Sequence, residues 1–343
     1  MPRLSFPVTF VVGSGRSGSS ALSRALRLHP GLLSLNELLA SLTEPERALP
    51  ASPLTGEEFW RMLAEPSPVF ERLLRDGVVM PEFLDPRPGL PALSLMVLPH
   101  LTDDPPAVLA ALEREVPRWP RRPAEEHFAA LLALLREHFG REAVVERSGY
   151  SVMWIPRLRE CFPEARFVHM HRYGPDCALS MSRHTGYQTI MVMREVFELT
   201  GVATVSELTE EHLRGLPPEL AALVSTRIDT GWLASRGVPV ARFGELWSEL
   251  VTQAVAYLAP VPAGQRTELS YERLLDDPRG ELARLARFAG VAADERWLDA
   301  AAPLFTDASR GSAARELAQE ELAALREACA PGTQALAAAA AAV

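Results

Sequence analysis

Residues 10–20 read F-V-V-G-S-G-R-S-G-S-S, and no other stretch constrains the chain as much. Residues 8–13 are β-branched or aromatic and end at glycine, the pattern of a buried parallel strand. From Ser19 to Leu28 the residues Ala21, Leu22, Ala25, Leu26 and Leu28 recur at helical spacing, and His29-Pro30 stops the helix. Strand, glycine loop and helix in that order present consecutive backbone N–H groups at the positive end of a helix dipole, which suits a phosphate or sulfate. The plainer alternative is a Gly-Ser turn that only joins two elements. Gly13 and Gly18 stand at the spacing of the phosphate-binding pattern G-x-x-x-x-G-K-S/T, yet Ser19 occupies the lysine position and Arg16 lies three residues earlier. Arg16 offers an anion a planar bidentate fork, and Ser17, Ser19 and Ser20 offer hydroxyls.

Strand and helix patterns then alternate. Leu32–Leu35 reads as a second strand, Ala143–Arg147 as a third and Arg166–His171 as a fourth, with a short one at Thr267–Leu269. Helical patterns cover Phe128–Phe139, 151–161, Pro175–Arg183, Phe243–Leu258 and a pair from Tyr271 to Ala289. The expected class is α/β, a parallel sheet flanked by helices. Proline-rich residues 44–127 and the variable stretch 184–230 read as helical insertions, the kind of segment in which acceptor specificity is decided. Residues 335–343 are nearly all alanine and are expected to form a frayed helix or disordered tail. With no long polar linker and no repeat, 1–343 reads as a single elaborated domain.

Composition narrows the function. A net charge of −9 argues against nucleic acid or an anionic membrane as the partner. Apolar residues make up 48% of the chain, but no segment approaches the ~20 apolar residues of a membrane span. The three cysteines, Cys161, Cys177 and Cys329, have no metal-binding or disulfide spacing. With no leader-like start, cytoplasmic residence is expected. The sequence is silent on oligomeric state.

Two internal strands end in Glu146-Arg147 and His171-Arg172, so arginines point to the end of the sheet where ligands bind. A Mg²⁺-dependent phosphoryl-transfer site needs an acidic strand end, and only Glu146 is acidic there. An anion site without a metal is the better match. At these residues the chain resembles the sulfotransferases that use 3′-phosphoadenosine 5′-phosphosulfate (PAPS). Their first signature runs Pro or Gly, Lys or Arg, Ser or Thr, Gly, then two of Ser or Thr; Gly15-Arg16-Ser17-Gly18-Ser19-Ser20 fits every position. Their second is a strand-end arginine followed eight residues later by a helical serine, matched by Arg172 and Ser180. A looser likeness to bacterial and tyrosylprotein members covers residues 269–291.

The resemblance implies a sulfotransferase fold with residues 15–20 on the 5′-phosphosulfate and Arg172 and Ser180 on the 3′-phosphate. It implies SO₃ transfer to a small-molecule hydroxyl, or less readily an amine, on an aromatic, sugar or carrier-bound acceptor, with no metal. Glu37 is the candidate base by likeness to the tyrosylprotein branch; the alternative is a glutamate opening a helix after Asn36. Cytosolic members use a histidine, for which His100 is the nearest candidate, while His29 reads as structural and His169 and His171 as packing. Arg147 stands where relatives place a strand-end lysine near the scissile bond; pairing with Glu146 is the alternative. Arg310-Gly311 resembles an Arg-Lys-Gly element over the 3′-phosphate, with the lysine missing. Ala21 replaces a tryptophan that helps hold adenine in cytosolic members, leaving Tyr150 or Trp154 as candidates. Two other readings stay open: a loop-type nucleotide kinase and a non-catalytic adenine-nucleotide binding protein.

Overall fold

The computed structural model describes residues 5–42, 45–225 and 229–341. Residue 44 at the edge of the first expected insertion, 226–228 in the second and 342–343 of the alanine-rich end lie outside the described residues. Among the described residues five strands, β1 (Val8–Gly13), β2 (Leu32–Asn36), β3 (Ala143–Arg147), β4 (Arg166–His171) and β5 (Arg266–Ser270), form one sheet in the order β2-β3-β1-β4-β5. Every pairing is parallel.

Parallel strands are buried on both faces, and side chains alternate between two separate cores. Val8, Phe10 and Val12 of β1 pack with Val144 of β3 and Phe167 of β4 against the Ala124–His138, Ile155–Cys161 and Val240–Leu258 helices. Val11, Val145, Val168 and Leu269 pack on the opposite face against α1 (Ser19–Arg27) and the Pro278–Ala289 helix. The class is therefore the expected α/β fold, a parallel sheet flanked by helices. The chain leaves β1 for β2 on one side and later crosses to β4 on the other, so the switch point lies where β1 ends and the glycine loop begins.

Register sets the depth of the site. Asn36 and Val11 both lie level with Arg147, and Gly13 lies level with Met170. β2 and β3 thus end level with each other, two residues short of Gly13, where β1 gives way to the loop. The two insertions are helical as expected and share a core of their own, in which Phe70, Leu73, Val78 and Phe83 meet Val192, Val196 and Leu220. Of the two expectations for the alanine-rich end, a helix is what its described residues form. They continue the Gln319–Ala341 helix as far as Ala341, because alanine is the best helix former and Leu325, Cys329 and Leu336 pack that helix onto the core shared with Val240–Leu258.

Candidate active site

The loop between β1 and α1 is shaped by backbone conformations that few residues accept. Gly15 and Gly18 have φ of 72° and 83°, and a Cβ on either would overlap Tyr187 Oη or the Tyr271 ring. Gly18 caps α1 with no side chain, and the first turn contains no acid, while Arg24 and Arg27 lie in the last. The N–H groups of the first turn thus face outward with the dipole uncompensated, as an anion requires. The Ser17 hydroxyl turns inward and donates to Gly15 O at 3.1 Å, which braces the loop, while its N–H belongs to the loop's row of donors. Ser19 lines the cavity described below, and Ser20 is exposed.

The second expected signature meets the first at Arg16. Arg16 Nε donates to Ser180 Oγ at 3.3 Å, and Arg172 Nη1 donates to Arg16 O at 3.4 Å. Arg172 is buried, packs its guanidinium 5.2 Å from the Tyr271 ring centroid and donates to Ser309 O at 2.6 Å. Its Nε is buried without a partner, an orphaned donor of the kind a bound anion would satisfy. Gly311 is brought here by Asp176, whose carboxylate accepts from Gly311 N at 2.6 Å and Ala313 N at 2.9 Å. Arg310 instead pairs with Asp276 and Asp307.

Glu37 follows β2 with φ 59°, and its N–H donates to Arg147 O at 2.8 Å. Its carboxylate is 3% exposed, bonded through Oε1 to Arg147 Nη1 and accepting through Oε2 from Gly149 N at 2.9 Å. Arg147 also donates to Asn36 Oδ1 and, at 2.7 Å, to Ser23 Oγ. Arg147 therefore pairs with Glu37 rather than with Glu146, because strand alternation sends neighbours to opposite faces. Glu146 enters the apolar side beside Phe128, Trp154 and Leu158. Burial pushes its carboxyl up to about 7 against the pull of hydrogen bonds from Ser148 and Leu39.

Glu37, Gly15 and Arg16 open onto a cavity of about 360 Å³ whose walls come from both insertions. Val69, Phe70, Leu73, Met80 and Met96 line it from the first, Thr189 and Ile190 from the second, and Tyr150, Met153 and Trp154 from the segment after β3. Arg16, Glu37 and Tyr150 are the non-glycine residues with positive φ among those described, and all three line this cavity. Backbone strain concentrated at one cavity is a mark of a functional site.

A family model described as the sulfotransferase family matches residues 7–217, more than half of the chain. The chain belongs to the sulfotransferase family. Among solved structures it is similar to the sulfotransferase domain of the Synechococcus PCC 7002 olefin synthase, with 18% identity, 94% of each chain covered and a TM-score of 0.46. It is also similar to sulfotransferase STF1 of Mycobacterium tuberculosis H37Rv, with 17% identity over 96% of this chain and 77% of the other, and a TM-score of 0.44. No curated protein sequence matches it significantly. Membership selects the sulfotransferase reading over the kinase and the non-catalytic alternatives, and the family implies a PAPS-type donor.

In this sulfotransferase the remaining candidates separate by location. His100 is buried behind β2, 3.4 Å from Ser34 Oγ, and burial and then the Arg27 and Arg147 charges push it down to about 4; it does not line the cavity. His29 holds Ala292 O and Gly31 N, a structural role. His169 is buried and His171 lies 3.6 Å from Glu268, both on β4. Tyr150 and Trp154, the adenine candidates, line the apolar cavity that Glu37 faces. Sequence reasoning missed Glu82, Asp176, His184 and Tyr187. Tyr187 Oη donates to Ser14 O, and burial raises its pKa well above the usual value. Of the four only Asp176, an acid in a helix first turn, carried a local signal.

Proposed function

We propose that this enzyme transfers the sulfuryl group of PAPS to the hydroxyl of an apolar alcohol or phenol, with Glu37 as general base. The observation that carries the reading is the junction at Arg16. There the anion loop touches both Ser180 and Arg172, beside a buried carboxylate that opens onto an apolar cavity.

The residues fit the donor. The N–H groups of Gly15 to Ser20 and the Arg16 guanidinium would hold the 5′-phosphosulfate, and Ser180 and the free Nε of Arg172 the 3′-phosphate. Gly311, held close by Asp176, would flank that phosphate, with Arg310 outside it. The donor supplies the SO₃ group and a phosphate leaving group. Glu37 lines the cavity with a lone pair remaining on each carboxylate oxygen, so it can take the acceptor's hydroxyl proton. Arg147 and the Gly149 N–H fix the direction of that carboxylate, and Arg147 also lines a hollow under the loop with Gly15, Ser17 and Ser19. Its charge there favours the negative charge that gathers during transfer.

The cavity supports an apolar acceptor over a sugar. Its walls carry three methionines, which adapt to irregular apolar shapes, and few hydroxyl or amide groups to bind several sugar hydroxyls. Calorimetric titration with adenosine 3′,5′-bisphosphate and with AMP tests the donor site, and turnover with PAPS on 2-naphthol, a long-chain alcohol and glucose tests the acceptor. Binding that depends on the 3′-phosphate, with turnover on the apolar acceptors, is expected. Equal affinity for both nucleotides would overturn the donor assignment, and turnover on glucose alone would overturn the acceptor class.

A further inference from the structure

Glu82 is a second carboxylate on the cavity wall, contributed by the first insertion. Its Oε1 lies 3.3 Å from Arg16 Nη1, and its Oε2 lies 3.2 Å from His184 Nε2 at the start of the second insertion. His184 Nδ1 accepts from Gly186 N at 3.2 Å, which leaves Nε2 as the protonated nitrogen that donates to Glu82. One carboxylate therefore joins both insertions to the cation of the anion loop. Glu82 and Arg16 are both about three-quarters buried, so the pair is only partly screened by water. Burial raises the Glu82 carboxyl, but the hydrogen bond from His184 and the Arg16 charge outweigh it and hold the group below the usual range.

We infer that Glu82 is a positioning residue that occupies Arg16 until the donor arrives and competes with the donor's anionic 5′ end for that guanidinium. This inference rests on the proposed donor site. Arg16 has two directions in which to satisfy its fork, toward Ser180 and toward Glu82, and an anion in the loop needs the same nitrogens. An ionised Glu82 beside that anion also repels it. When the anion takes Arg16, Glu82 keeps its bond to His184, so the carboxylate retains a partner and release of the nucleotide is met by a ready counter-charge. The first insertion, which supplies Val69, Phe70 and Met80 to the acceptor wall, is thereby coupled to the state of the donor loop.

The test uses the full chain and adenosine 3′,5′-bisphosphate as the probe. Glu82→Gln keeps the length and an oxygen acceptor for His184 but removes the charge. Calorimetry is expected to show tighter binding in Glu82→Gln by roughly 3- to 10-fold, the scale of a partly buried ion pair. A residue that only stabilised the fold would not tighten binding when removed. In Arg16→Gln the nucleotide should bind weakly, and adding Glu82→Gln to that variant should recover much less than it gains in the wild type. If Arg16→Gln binds weakly while Glu82→Gln leaves affinity unchanged or lowers it, the competition is overturned and the donor site stands. If Arg16→Gln binds as well as the wild type, Arg16 does not hold the anion, and the donor-site reading falls together with the inference.

Discussion

Replacing Glu146 with glutamine should change how the enzyme's stability responds to pH. The side chain is 1% exposed among Leu38, Leu39, Phe128 and Trp154. Hydrogen bonds from Ser148 Oγ and Leu39 N reach Oε1, while Oε2 is buried without a partner. Burial, with a smaller contribution from the nearby Glu37 charge, moves its pKa up from 4.5 to about 7. Below the unfolded value both states are protonated, and the group's favourable contribution is complete. Between the two values the unfolded chain has ionised while the folded one still holds its proton, so the contribution falls as pH rises and is lost above the folded value. At about 1.4 kcal/mol per pKa unit, that window amounts to roughly 3 kcal/mol. Glu146→Gln cannot titrate, and any fixed cost of its amide is the same at every pH. Urea denaturation of both proteins at about pH 5 and about pH 8 should show the difference between them moving by roughly 2–3 kcal/mol in favour of the variant at the higher pH. Parallel pH profiles would refute the assignment of a buried, proton-holding carboxyl.

Three further outcomes follow from the site. Glu37→Gln should lower turnover by roughly 100-fold or more while leaving affinity for adenosine 3′,5′-bisphosphate intact; full turnover would remove Glu37 as the base. Ser180→Ala should cost that nucleotide roughly 1.5–3 kcal/mol in calorimetry with no change for AMP, and equal losses for both would sink the 3′-phosphate assignment. Tyr187→Phe leaves the Ser14 carbonyl without its buried donor and should destabilise the protein by roughly 1–3 kcal/mol in thermal unfolding; an unchanged melting temperature would mean that this hydroxyl does not brace the loop.

The parts of this molecule that were legible in the sequence are those whose cause is local. Strand β3 matches its expected limits because Ala143 to Arg147 are buried on both faces and bounded by a glycine turn and a serine-glycine turn. Arg16, Arg172 and Ser180 were legible because a strand end and a helix turn fix where such residues point. The partners of Arg147 were not. Glu37 reaches it through β2–β3 register, 110 positions away in the chain, whereas Glu146 is adjacent in sequence but lies on the opposite face of the strand. The cavity walls were equally hidden. Met80, Glu82 and His184 sit in proline-rich or variable segments with no periodic signature, and only packing between the two insertions brings them together.

The strained backbone gives the same division a physical reason. Left-handed conformations at Arg16, Glu37 and Tyr150 each cost on the order of 1–3 kcal/mol, and local sequence preference opposes all three. At Glu37 and Tyr150 they persist because tertiary bonds hold the chain beside them. Glu37 N is fixed to Arg147 O, the Glu37 carboxylate to Gly149 N, and Ser151 N to Gly13 O. Each of these bonds ties the end of β3 or the turn after it to the end of β2 or β1, so the strain at Glu37 and Tyr150 is held once the parallel sheet has formed in register. All three residues line the one cavity. The register of the sheet therefore does more than position strands, because its bonds hold the candidate base and the cavity tyrosine in strained conformations at one cavity.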